Sequence, residues 1–117
     1  MSVTAEGIGK VMDATVEHRT HKRYSVYFKC IFSTDGVRLE DGVVLDLSLG
    51  GCRLMSETRV ATGMTLELHI RPSQHSPIYI PRAVVRWMGN TVFGVQFTDL
   101  PELESATLTR LLWTLRS

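Results

Sequence analysis

The chain has 117 residues, with 13 Lys and Arg against 12 Asp and Glu and a net charge of +1. That length suits one domain, large enough to bury a core and too small for two. A balance so close to neutral excludes a global field for nucleic acid or a membrane surface, so any anion site must be local.

Residues 1–17 lack clean periodicity and read as a tail ahead of one domain over residues 18–117. His18, Arg19, His21, Lys22 and Arg23 then follow with no acid among them, the only charge run in the chain. From Tyr24 to Ser33, Val26, Phe28, Cys30 and Phe32 alternate with Ser25, Tyr27, Lys29 and Ile31, the period of a strand. Ser33-Thr-Asp-Gly36 predicts a tight turn, Val37 to Asp46 a second strand with a bulge or local turn at Asp41-Gly42, and Cys52 to Ser56 a third. Met64 to Ile70 is the cleanest strand, with Met64, Leu66, Leu68 and Ile70 on one face. After a loop from Arg71 to Pro77, Ile78 to Trp87 predicts a fifth strand, interrupted at Pro81, which cannot donate to a ladder and implies an edge or a bulge. Gly89-Asn90 is a hairpin turn into a sixth strand from Thr91 to Phe97.

Beyond Pro101 the period changes. Leu108, Leu111, Leu112 and Leu115 recur at helical spacing, with Glu102 and Glu104 early and Arg110 and Arg116 late, as a helix dipole favours. Asp99 followed by Glu102 resembles a capping box. Trp87 and Phe93 read as core or barrel-face residues, and Trp113 as either a core extension or a partner-facing patch. The sum is an all-β fold, a six-stranded antiparallel β-barrel with a C-terminal α-helix covering one opening.

The chemistry concentrates in two places. Arg19 and Arg23 present two guanidinium forks four residues apart, each able to grip a phosphate or the O6/N7 edge of a guanine. Asp46-Leu-Ser-Leu-Gly-Gly51 places a carboxylate, a hydroxyl and a glycine-opened backbone at a strand-to-turn junction, where short polar groups meet the donor edge of a planar base. Ser48 lacks the glycine two residues earlier that a nucleophile elbow needs, because Asp46 stands there. His18, His21, His69 and His75 come with no nearby Cys or carboxylate set, so no metal site is expected. Cys30 and Cys52 lack CxxC spacing and read as buried thiols in a reducing compartment. The N-terminal residues lack a secretory signal pattern and no stretch approaches the ~20 apolar residues of a membrane span, so the expected location is the cytoplasm.

The R-x-x-x-R pair Arg19/Arg23 and the D-x-S-x-x-G set Asp46, Ser48 and Gly51, followed by Ala83-Val-Val-Arg-Trp87 and Gly94-Val-Gln-Phe97, resemble the PilZ domain family over roughly residues 17–97. The resemblance implies a β-barrel receptor for the bacterial second messenger cyclic di-GMP. It implies that the arginine loop closes over the ligand, that Asp46 accepts from guanine N–H groups beside Ser48, and that Gly51 lets the backbone approach. His18 and Gly50 are further candidate contacts, and His18 bears on whether one or two ligands bind. No cofactor and no catalytic residue is expected, since no acid/base pair or phosphate-cradling loop is present. The response would pass to an unidentified protein partner. Two other classes compete: a PilZ-like protein-interaction module that binds no nucleotide, and a nucleic-acid-binding barrel, which the near-neutral charge disfavours.

Overall fold

The computed structural model describes residues 21–116; His18, Arg19 and the 1–17 segment lie outside the described residues. Among the described residues six strands follow one another: β1 (Tyr24–Ser33), β2 (Glu40–Leu47), β3 (Gly51–Met55), β4 (Thr65–Arg71), β5 (Ile78–Met88) and β6 (Val92–Asp99). A single helix, α1 (Glu102–Leu115), ends the described chain. The strands pair antiparallel in the order β1-β2-β3-β6-β5-β4, and β4 returns to β1 to close a barrel. Closure removes every sheet edge.

The inward residues of each strand fill the barrel. Phe32, Val44, Leu54, Leu68, Ile80, Val85 and Phe93 are buried, and the Phe32 and Phe93 rings meet edge-to-face with centroids 5.8 Å apart. Leu108, Leu111 and Leu112 of α1 are buried against this core. The leucine spacing read from sequence is therefore the face that packs on the barrel core.

Pro81 takes the second of its two sequence options. With no edge available, Leu66 pairs with Ala83 and Leu68 with Ile80, so Pro81 and Arg82 together oppose the single residue Glu67. That bulge spares the ladder the N–H that proline lacks.

Four local expectations are corrected. β2 begins at Glu40 rather than Val37, because the Asp35 carboxylate accepts the N–H groups of Val37 (2.8 Å) and Arg38 (2.9 Å) and Gly36 turns at φ 78°, consuming those residues in the loop. Met64 precedes β4 and is exposed, its Sδ accepting from the Ala61 N–H. Asp99 is the last residue of β6, opposite Arg82, so it cannot cap the helix; the N-cap is Pro101, with no side-chain cap bond. Arg116 lies at the C-cap, outside the last turn, and stacks on Trp113 at 4.0 Å.

Candidate functional site

The Asp46 side chain owes its direction to a break in the strand. In strict alternation Val44 and Asp46 would share one face of β2. Instead the pairing with β3 slips between Val44 and Asp46, and the pairing with β1 slips between Ser25 and Phe28. Against β3 Leu45 is the extra residue, and against β1 it faces the pair Val26 and Tyr27, so that Val44 and Leu47 both point into the core while Asp46 points out. There the carboxylate meets two guanidiniums. Arg23, one residue before β1, donates to Oδ1 from Nε (3.3 Å) and Nη2 (3.1 Å). Arg53, opposite Asp46 on β3, brings Nε to 3.2 Å from Oδ2. The Arg53 N–H is not aimed at that oxygen well enough to hydrogen-bond, so this second contact is one of charge.

Ser48 is buried and holds the β2–β3 turn. Its Oγ accepts from the N–H groups of Gly50 and Gly51, both at 3.1 Å, and donates to Gly51 O at 3.2 Å. Gly50 O accepts from Phe97 N–H at 2.9 Å, which pins the turn to β6. A Cβ on Gly51 would collide with the Val95 carbonyl, so only glycine fits there. A Cβ on Gly50 would lie 3.0 Å from the His21 ring, which packs over the turn.

Beside this turn opens a cleft of about 300 Å³. His21 and Arg23 line one side, Ser48, Gly50 and Gly51 the floor, and Arg86, Trp87, Gly94 and Gln96 the far wall. Trp87 lies flat across Gly94, where any Cβ would strike the indole, and it stays 44% exposed. The ring is thus a barrel-face residue presenting a flat apolar surface, not part of the core. Arg86 donates from Nε to Gln96 Oε1 at 2.8 Å. Of the candidate residues, Arg23, Ser48, Gly50 and Gly51 line this cleft together. Asp46 is held against Arg23 but does not itself line the cleft.

Arg53, Arg86 and Gln96 were not singled out from sequence. A polar residue within a strand carries no local sign of what it pairs with across the sheet. Among the described residues no group of three His, Cys, Asp or Glu side chains converges. His69 stacks on Tyr79, with ring centroids 4.8 Å apart. Burial pushes the Cys30 thiol up to about 12 and Cys52 well above its ordinary range, so both stay protonated and unreactive inside the barrel.

A closed six-stranded barrel capped by one helix, with a cation-bordered cleft at the turn after β2, defines the class of this protein. The PilZ domain family model matches residues 17–112, and the chain belongs to that family. No curated protein matches it in sequence. Among solved structures, the PilZ domain of YcgR from Escherichia coli with c-di-GMP is similar at 18% identity and a TM-score of 0.71, over 83% of this chain and 90% of that one. The Bacillus subtilis inhibitor of motility MotI/DgrA is similar at 15% identity and a TM-score of 0.70, over 87% of this chain and 55% of that one. MrkH of K. pneumonia in its apo state is similar at 18% identity and a TM-score of 0.68, over 91% of this chain and 54% of that one. This chain therefore spans about half the length of MotI/DgrA and MrkH. At these identities the likeness is one of fold.

Proposed function

We propose that this domain is a receptor for cyclic di-GMP, with Arg19 and Arg23 gripping phosphate and guanine, Asp46 accepting from guanine N–H donors, and the Ser48–Gly51 turn forming the floor. The observation that carries this reading is the junction of Arg23 and Asp46 at a cleft floored by the Ser48 turn and walled by a flat indole. Such a site offers a base a stacking surface and a cation for its phosphate, and Asp46, behind Arg23, would accept from its amine edge once Arg23 turned to the ligand. The similar YcgR domain is described with c-di-GMP, which supports the same ligand here. The cleft sits at the small end of ligand sites, so one base with its phosphate would enter it and the rest of the ligand would lie outside, where the segment containing His18 and Arg19 would cover it. A few bidentate contacts at roughly 1–3 kcal/mol each, less the cost of ordering that segment, leave about the 8 kcal/mol of a micromolar complex.

The output would go to a protein partner. Trp113, 67% exposed on α1 beside Arg116, is the surface best suited to such a contact. Titration calorimetry with cyclic di-GMP, with cyclic di-AMP and GTP as controls, tests the receptor reading. Binding of cyclic di-GMP alone, lost in Arg23→Ala, is the expected outcome. No heat at high ligand concentration would overturn it and favour the module that binds only protein.

A further inference from the structure

We infer that Arg53 is the positioning residue of this site: it holds Asp46 by Oδ2 so that Arg23 can leave Oδ1 for a ligand without the carboxylate following it. The inference rests on the cyclic di-GMP reading for its ligand and on the geometry of the free domain for everything else.

Arg23, just before β1, and Arg53, on β3, approach Asp46 from opposite sides of β2 and take different oxygens. Only Arg23 lines the cleft. Both of its contacts, from Nε and Nη2, fall on the single oxygen Oδ1. The strongest guanidinium–carboxylate pairing uses two parallel bonds to two oxygens. That arrangement is denied to Arg23 because the Arg53 charge occupies the Oδ2 side at 3.2 Å. Arg23 is therefore held by a pairing weaker than its fork could make, and is poised to exchange Asp46 for a phosphate or a guanine edge.

Arg53 does a second thing when that exchange happens. The Asp46 side chain is only 16% exposed, and a carboxylate so placed is costly without a counter-charge. Arg53 stays on β3 and continues to neutralise it, while Oδ1 becomes free to accept from the ligand. Without Arg53, Asp46 can turn both oxygens to Arg23, and the two groups needed for binding close on each other. The unaimed N–H of Arg53 leaves room for that contact to shorten into a hydrogen bond as Arg23 departs.

The test uses the full chain in four forms, Arg53→Gln, Arg53→Lys, Asp46→Asn and the double Asp46→Asn/Arg53→Gln, titrated with cyclic di-GMP. Arg53→Gln is expected to weaken binding by about tenfold and Arg53→Lys by no more than about threefold, because lysine restores the charge. In the Asp46→Asn background the Arg53→Gln change is expected to add less than about twofold, since its effect runs through the Asp46 charge. Undiminished affinity in Arg53→Gln, or the same loss in both backgrounds, would overturn the inference; the second would mean that Arg53 acts on the ligand or the fold directly. An arm without ligand separates this from the receptor reading. Hydrogen exchange of the Arg23 Nε–H, followed by ¹⁵N NMR, should slow in Arg53→Gln as Arg23 gains both oxygens. Unchanged exchange sinks the clamp whatever the titrations give, whereas an absence of heat from the wild type sinks only the receptor reading.

Discussion

Removing the Asp46 carboxylate unpairs two arginines at once, whereas removing Arg23 leaves the Asp46–Arg53 contact in place. The Arg23 and Arg53 side chains are 31% and 43% exposed, so each pair is screened and each guanidinium can regain water. Exposed pairs contribute about 0.2–1 kcal/mol, and the more enclosed Asp46 places both contacts toward the upper end. Asp46→Ala should therefore cost about 1–2 kcal/mol in the free domain and Arg23→Ala about 0.5–1 kcal/mol. At roughly 4 °C per kcal/mol for a domain of this size, the melting temperature falls by about 4–8 °C in the first and about 2–4 °C in the second. Differential scanning calorimetry without ligand measures both. Repetition in about 1 M salt, where the screening length is ~3 Å, should shrink the gap between them. A larger loss from Arg23→Ala than from Asp46→Ala would refute the reading of Asp46 as the shared hub and make Arg23 a fold-holding residue.

The two tightest glycines should respond differently to a methyl group. Gly51→Ala drives a Cβ into the Val95 carbonyl, a backbone atom that cannot step aside, and should destabilise the barrel by about 1–3 kcal/mol in thermal melts; Gly94→Ala displaces only the half-exposed Trp87 ring and should impair ligand binding more than it lowers the melting temperature. Asp35 is held below its ordinary carboxylate value of 3.8 by the N–H groups of Arg38 and Val37. Its folded pKa being the lower one, its contribution is present above the unfolded value and lost as pH falls through the folded one, so Asp35→Asn should flatten the acid limb of the stability curve below about pH 4 and leave the pH 6–8 region parallel to wild type. Cys30 and Cys52 should resist a disulfide thiol reagent at pH 8 in the native protein and both react once denaturant is added; rapid native labelling would contradict their burial.

The local grammar of the chain was open to reading from sequence alone. Alternation from Tyr24 to Ser33, the turn at Ser33–Gly36, proline-broken β5 and the leucine spacing of α1 are all near-neighbour effects, and each appears close to where the pattern puts it. The errors fall where a distant or competing partner intervenes. Asp35 drew two N–H groups out of the expected second strand, and Arg82 stands in register with Asp99, the residue expected to cap the helix. Glu104 has a role that no pattern showed, for its carboxylate accepts the Tyr79 N–H at 3.0 Å and ties the first helical turn to β5.

The order of charged, small and apolar residues determined on its own that this chain makes strands and one terminal helix, and it marked a candidate site near Arg23 and the Asp46–Gly51 turn. Only the closed barrel decided what that site contains. Register between strands is set by packing across the whole sheet, and a one-residue slip at Leu45 turned Asp46 outward, beside Arg53, a partner named by no local motif. The same pairing laid Trp87 over Gly94 to make a cleft wall from a residue that periodicity leaves undecided between core and surface. Such contacts join segments far apart in the chain, and the physical choice among them exists only once the barrel has closed.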